Sequence, residues 1–387
     1  MTKVLHVYRT YFPDPPGGLQ EAIRQIARAT AVHGVESRVF TLSPHPDPAQ
    51  LDLPDATVMR ARSWAAPASC DIGGIGAFRL FADLTRWADI IHYHFPWPFA
   101  DLLHLGVRPT IPAVMTYHSD VVRQRLLSAA YAPLRNRMLR AMSRVIATSP
   151  AYARSSPILS ALSLRDKVAV IPLGIDPKSY PEASGTVLPR LGLAESEPFF
   201  LFIGVLRYYK GLHTLIEAAR HVDTKIVIAG SGPELDRLKA LAAEHRTTNV
   251  VFAHQVTGPE KVALLERCTA LVLPSHLRSE AFGMVLVEAA MFGKPSISCE
   301  IGTGTSYVNL HGETGLVVSP EDPTALARAM QQLTADRSMT NAFGAAARER
   351  FSNHFSGDVM GKSYASLYRE VTKQTAADER FAVESPP

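Results

Sequence analysis

The segment Pro274-Ser-His-Leu-Arg-Ser-Glu-Ala-Phe-Gly-Met-Val-Leu-Val-Glu-Ala-Ala carries two carboxylates, Glu280 and Glu288, with a glycine between them. It follows the apolar run Ala270–Leu273, a strand candidate. Glu280 lies in the loop, Ala281-Phe-Gly-Met should open a helix, and Glu288 follows about one and a half turns in. Eight helical steps of roughly 100° leave about 80° between the carboxylates, which places them on related faces. Gly283 removes a side chain where a ligand approaches the backbone. The amides of Gly283, Met284 and Val285 then point at an anion on the helix N-terminus. Glu288 is flanked by Val285, Leu286, Val287, Ala289, Ala290 and Met291. An ionised carboxylate in such company needs a partner. This set suits a nucleotide sugar, with diphosphate on the helix start, ribose hydroxyls on Glu288 and sugar hydroxyls on Glu280.

Two cations join that set. Arg207 and Lys210 follow the run Phe199–Ile203 at the carboxyl end of a candidate strand. Cations at a helix start oppose the helix dipole, so an anionic ligand explains them better than solvation does. A diphosphate leaving group gains charge as it departs, and fixed cations stabilise it there. The chain contains no Asp-x-Asp motif to hold a divalent ion. Arg207, Lys210 and the helix dipole are expected to do that work, so no metal and no bound cofactor are expected. His118 follows Ala113–Tyr117, again at a strand's carboxyl end, and Asp120 either orients it or caps the following helix. His92 and His94 alternate on one strand and face one side. With His118 they suggest a metal triad, but no second carboxylate or cysteine cluster accompanies them. They are read instead as lining the ligand cleft or packing beneath it. Gly17-Gly18 follows Pro15-Pro16 and is by itself equally a turn.

The elements that must position these groups alternate along the whole chain. Strand candidates are Val4–Tyr8, Ser37–Leu42, Ile90–His94, Ala113–Tyr117, Val145–Thr148 and Val168–Ile171. A second series runs Phe199–Ile203, Lys225–Ala229, Val250–Phe252, Ala270–Leu273 and Pro295–Ser298. Helical spacing of apolar residues marks stretches between them, such as Leu19–His33, Gly211–Arg220 and Glu234–His245. This alternation predicts an α/β protein with parallel sheets covered on both faces. A length of 387 residues favours two domains. The Pro-, Gly- and Ser-rich stretch Pro172–Pro198 reads as the linker. The division is placed at residue 185: residues 1–185, residues 186–355, a C-terminal helix at 356–373 that crosses back to the first domain, and a frayed tail at 374–387. Sheets of this kind bind ligands outside the carboxyl ends of their strands. Two of them facing each other across a cleft suit a reaction between two substrates.

Composition narrows the class further. Hydrophobic residues make up 47% and charged residues 20%, as in globular domains. Cys70, Cys268 and Cys299 are too few and too scattered for a disulfide framework or zinc site. No run of about 18 apolar residues spans a membrane, and the opening residues lack a signal-peptide pattern. A cytoplasmic protein is expected. Residues 1–180 hold 20 Lys+Arg against 13 Asp+Glu, and the remainder holds 20 against 23. The first half is thus the basic one, at +7 against −3, and favours an anionic partner or surface. Within it, Val121–Val145 carries Arg123, Arg125, Arg135, Arg137, Arg140 and Arg144 among Leu126, Leu127, Leu134, Met138 and Met142. Pro133 should split this stretch into two helices. It reads either as a basic amphipathic surface for the inner membrane's anionic face or as a helix packed on the core.

Glu280-x7-Glu288 with Phe282-Gly283 inside it resembles the signature of retaining glycosyltransferases of the GT-B fold, family 4. The resemblance extends over nearly the whole chain, in order: Gly17-Gly18, Tyr117-His118-Ser119-Asp120, Pro172-Leu-Gly-Ile-Asp176, Gly204-x-x-Arg207-x-x-Lys210-Gly211, Gly230-Ser-Gly-Pro-Glu234 and Gly312-Glu-Thr-Gly-Leu316. The opening and Arg207-Tyr-Tyr-Lys210 look most like bacterial mannosyl- and rhamnosyltransferases of O-antigen synthesis. The resemblance implies two Rossmann-like domains, with the acceptor on the first and the nucleotide-sugar donor on the second. It implies that Arg207 and Lys210 contact the diphosphate, that His118 lies near the donor sugar, and that Gly17-Gly18 lies by phosphates and acceptor. It further implies transfer of a hexose with its α configuration kept, to a glycan or polyprenyl-linked glycan. Mannose or rhamnose on GDP is favoured, with UDP and dTDP sugars left open. Glu280 is expected to orient the sugar; the alternative makes it a covalent nucleophile. Competing readings are a UDP-sugar transferase acting on a small acceptor and a non-catalytic nucleotide-sugar binder. A dinucleotide dehydrogenase is disfavoured, because Gly230-Ser-Gly232 and Gly302-Thr-Gly304 both lack the third glycine of G-x-G-x-x-G. The arginines form one local segment with no aromatic stacking series, which disfavours nucleic acid.

Overall fold

The structure is a computed structural model that describes residues 1–14, 17–67, 70–120 and 125–384. Pro15, Pro16 and 121–124 of the sequence reading lie outside the described residues, as do the side chains of 125–128 and everything past 384. Two compact units are present: 1–174 with 357–387, and 175–356.

The first unit is built on a sheet of β1 (Thr2–Val7), β2 (Val35–Ser43), β3 (Gln50–Asp52), β4 (Thr57–Ala65), β5 (Ile72–Gly73), β6 (Ile90–Phe95), β7 (Ala113–Tyr117), β8 (Arg144–Ala147) and β9 (Val168–Val170). Their order is β3-β4-β2-β1-β6-β7-β8-β9, with β5 on β4. Short β3 and β5 are antiparallel to β4, and the other ladders are parallel. Strand β6 is buried at every position, His92 and His94 included, as in a strand covered on both faces. The second unit holds β10 (Phe199–Ile203), β11 (Lys225–Ala229), β12 (Val250–His254), β13 (Ala270–Leu273), β14 (Ser296–Cys299) and β15 (Gly315–Val318), all parallel. Their order, β12-β11-β10-β13-β14-β15, reverses direction between β10 and β13. In the first unit the reversal lies between β1 and β6. Both are Rossmann-type windings, and ligands of such sheets bind beyond the strand ends at the reversal.

Several expectations need correcting. The division falls after Gly174 rather than at residue 185, because the chain from Ile175 onward is tied into the second unit. The Ile175 amide donates to the Phe355 carbonyl at 2.9 Å, and the Ser184 amide to that of Pro259 at 3.0 Å. The C-terminal helix Gly357–Glu384 belongs to the first unit and packs on the helix Gly18–Ala31. It continues past the expected frayed start at Gln374, since no proline or glycine interrupts residues 374–384. The stretch containing Pro133 is one helix, Arg125–Ala141, not two. Pro133 is exposed, so water reaches the carbonyl it leaves free, while Met138, Leu139 and Met142 anchor the following turns in the core. Cys268 and Cys299 are buried free thiols, pushed up to about 12 by that burial. Among the described residues no helix is long and apolar enough to cross a membrane.

Candidate active site

In the second unit the two loops at the sheet reversal dock backbone to backbone. After β10 the chain runs through Arg207 into the short 3-10 turn Tyr208–Lys210 and then Gly211, which opens the helix Leu212–Ala219. After β13 it runs from Pro274 to Gly283, which opens the helix Met284–Met291. The His276 amide donates to the Tyr209 carbonyl at 3.0 Å. Gly211 has φ +68°, and a Cβ there would stand 2.0 Å from the Pro274 carbonyl oxygen. Only glycine lets the loops approach this closely.

That approach brings Lys210 onto Glu280. Their side chains are 12% and 11% exposed and form an ion pair through Glu280 Oε2. Ser275 Oγ donates to the same oxygen at 3.2 Å. Burial alone pulls the Lys210 ammonium down; Glu280, then Tyr209 and Glu288, outweigh it and hold Lys210 above the ordinary lysine range. Glu288, 6% exposed, is held in the same manner. Tyr180 Oη and Lys261 Nζ both donate to its Oε1, each at 2.6 Å. Neither Glu280 Oε1 nor Glu288 Oε2 has a hydrogen bond among the described residues, and neither is sealed from solvent. Each carboxylate therefore has one oxygen clamped by a cation and one open. Arg207 is exposed and makes no ion pair among the described residues.

Gly283 begins the helix at φ +84°, and no side chain caps it. The first amides of the helix, at Met284 and Val285, have no intrahelical acceptor by position. Glu280 thus lies in the loop, as expected, and the helical phasing drawn from the eight-residue spacing does not apply to it. The docked loops hold Glu280, while the helix holds Glu288.

The first unit places the other expected groups. Gly17 precedes the helix Gly18–Ala31 in extended conformation, and a Cβ on Gly18 would meet nothing within 4 Å. His118, 9% exposed, follows β7, and its amide donates to the Phe95 carbonyl at 3.2 Å. Its Nε2 lies 3.0 Å from His94 Nδ1. Asp120 Oδ1 accepts from Tyr117 Oη at 3.2 Å and Ser156 Oγ at 2.9 Å. His92 and His94 do not line an opening: both are buried, as is His6, and His92 packs against Tyr364 and Tyr368 of the C-terminal helix. Among the described residues, the histidines whose ring nitrogens converge within 4.8 Å are His6, His92 and His94. Burial lowers His118 and His6 to about 3 and His92 and His94 well below the ordinary value, so all four rings are neutral.

Comparison with known proteins decides the family. A family model described as "Glycosyl transferases group 1" matches residues 186–350, and "Glycosyltransferase Family 4" matches residues 16–179. The chain is a family 4 glycosyltransferase. The transferase is 43% identical over 353 residues to D-rhamnosyltransferase WbpZ of Pseudomonas aeruginosa, covering 91% of this chain and 92% of that one. It is 40% identical over 366 residues to O-antigen chain mannosyltransferase C of Escherichia coli, covering 95% and 98%. Among solved structures, sucrose-phosphate synthase of Thermosynechococcus elongatus superposes with a TM-score of 0.79 at 23% identity, covering 97% of this chain and all of that one. That likeness concerns the fold, which is GT-B.

Several residues that hold these carboxylates carry no signal in the sequence. Tyr180 and Lys261 clamp Glu288 from the segment after Asp176 and from the helix Gly258–Arg267. Neither belongs to a motif, and no spacing pattern ties them to Glu288. Ser275 lies in the carboxylate segment, but its type and position alone signal no contact with Glu280. His6 shares strand parity with Val4, a core position, which was the only available sign that it faces inward.

Proposed function

We propose that this transferase moves a hexose, mannose or rhamnose, from a GDP-sugar to a glycan or polyprenyl-linked glycan in surface polysaccharide synthesis. The names of the two relatives at 43% and 40% identity support the sugar and the pathway class. The observation that carries the site is the pair of half-clamped carboxylates beside an uncapped helix start. Glu288 Oε2 accepts the ribose hydroxyls. The amides of Gly283, Met284 and Val285 receive the diphosphate, together with Arg207 and a spare proton of the Lys210 ammonium, which has three donors. Glu280 Oε1 accepts a sugar hydroxyl. His118 meets the donor sugar, and Gly17 and Gly18 lie by the phosphates and acceptor. No metal takes part.

The anomeric configuration is kept by same-face displacement. The C–O bond to the leaving phosphate breaks, the acceptor oxygen bonds to the anomeric carbon, and the acceptor proton passes to the departing phosphate oxygen. The rival, Glu280 as nucleophile, requires a glycosyl-enzyme visible by intact-protein mass spectrometry. Exposed Arg137 and Arg140 add a peripheral contact with anionic lipid on the cytoplasmic face, read out by sedimentation with anionic against neutral vesicles. Thermal-shift measurements with GDP, UDP and dTDP test the donor, since a ligand of the native state raises its midpoint. GDP should give the largest rise. Turnover of GDP-mannose or GDP-rhamnose with a polyprenyl-diphosphate glycan should follow, and no turnover with any of the three nucleotide classes would sink the reading.

A further inference from the structure

The first unit contains a single file of hydrogen-bonding groups running from its core to His118. Ser37 Oγ on β2 lies 3.4 Å from His6 Nε2 on β1. His6 Nδ1 lies 3.1 Å from His94 Nε2 on β6. His94 Nδ1 lies 3.0 Å from His118 Nε2 after β7. We propose that these groups form one array whose ring protons are locked in step, so that His6 and His94 are positioning residues that set which hydrogen-bonding face His118 turns toward substrate. The part about substrate rests on the role given to His118 above.

A neutral imidazole has one N–H and one bare nitrogen. Each ring-to-ring contact needs one of each. The array therefore has two coherent registers. In one, every Nδ1 carries the proton: His6 donates to His94, His94 donates to His118, and His118 Nδ1–H is left to donate outward. In the other, every Nε2 carries it, and His118 Nδ1 is left as an acceptor. A mixed file sets two N–H groups, or two lone pairs, against each other in a core that water does not enter: His6 is 0% and His94 1% exposed. An unmade buried hydrogen bond suppresses such a state by roughly tenfold or more.

Ser37 selects the register. Its buried hydroxyl has no other acceptor than His6 Nε2 among the described residues. It donates there when His6 carries its proton on Nδ1; in the other register its oxygen accepts from His6 Nε2–H, and its own proton is left without a protein acceptor among the described residues. The neighbouring His92 stays out of the file. Its Nδ1 is engaged by Tyr368 Oη at 2.8 Å and its Nε2 by Thr116 Oγ1 at 2.7 Å, which in turn meets Tyr364 Oη at 2.9 Å. His118 thus presents an N–H donor, suited to a sugar or phosphate oxygen.

Long-range proton–nitrogen correlation spectra of the full-length protein labelled with 15N-histidine read the tautomers directly. His6, His94 and His118 should all be Nδ1–H and neutral from pH 8 to pH 5. An Nε2–H tautomer in any of the three, an imidazolium in that range, or a stoichiometric metal displacing the His6–His94 proton overturns the array. In the variant series, His6→Leu should make His118 a mixture of tautomers and lower kcat/KM at least tenfold, although no hydrogen bond joins His6 to His118. His6→Asn restores a donor to His94 and should return a single Nδ1–H at His118 with kcat/KM within about threefold. A His118 that keeps one tautomer in His6→Leu refutes the coupling; should that variant not fold, the wild-type spectrum decides alone. A coherent spectrum without sugar transfer would leave the array standing and remove the role of His118.

Discussion

Glu288 gives one carboxylate oxygen to Lys261 and Tyr180 and keeps the other open. Glu288→Gln preserves the shape but weakens acceptance of hydroxyl protons. Hydrogen bonds to charged groups contribute about 1.5–3 kcal/mol, so nucleotide affinity by calorimetry should fall roughly tenfold to a hundredfold; an affinity within twofold of wild type would show that the open oxygen does not hold the ribose. Arg207 presents the opposite case, a cation with no structural tie among the described residues. Arg207→Ala should leave the unfolding free energy within about 0.5 kcal/mol while kcat drops on the order of a hundredfold, as expected for a group that stabilises charge only as the diphosphate departs. Equal losses in stability and in kcat would assign Arg207 to the fold instead.

The loops and helix starts that hold these side chains differ in what they tolerate. Gly211 stands at φ +68° with the Pro274 carbonyl where a Cβ would be. Gly211→Ala must push the β10 and β13 loops apart, so both the melting temperature and the Lys210–Glu280 pairing should be lost together. Gly18 begins its helix with open space around it. Gly18→Ala should therefore hold or raise stability by up to about 1 kcal/mol. If phosphate or acceptor lies against that helix start, the same variant should lose activity; a fully active Gly18→Ala would move the substrate away from it. The two glycines look alike in the sequence, and only their surroundings separate a packing requirement from a binding one.

At the level of the folded chain, acid should unfold this protein early. His6 and His118 lie near 3 and His104 near 4, all through burial, against an ordinary 6.5. Unfolded histidine takes up a proton below 6.5 and the folded one does not, so their stabilising effect is lost as pH falls from 6.5. Asp101 works in the opposite sense, since burial raises it to about 7 and its effect weakens stability as pH rises through 4 to 7. Three protons against one leave two, or about 2.7 kcal/mol lost per pH unit between pH 6 and 5, and His92 and His94 steepen the fall. Urea unfolding at pH 7 and pH 5 measures it; equal stabilities would mean that the histidines are charged in the folded state. Much of this protein was readable without coordinates. Alternation of apolar runs with helical stretches dictated parallel sheets, because parallel neighbours need a crossover, usually a helix, between them. Glu280, Glu288, Arg207 and Lys210 stood out because charge beside apolar runs and glycine demands a partner. Strands β3, β4, β5 and β15 are not among the strand candidates: β3 and β5 have only three and two residues, Arg60 and Arg62 break the apolar run of β4, and β15 has only four residues. What only the tertiary structure decided was pairing. Tyr180 and Lys261 meet Glu288, Lys210 meets Glu280, and His6 meets His94 because strands far apart in sequence lie side by side, and local spacing carries no record of which long-range neighbours the sheet order will create.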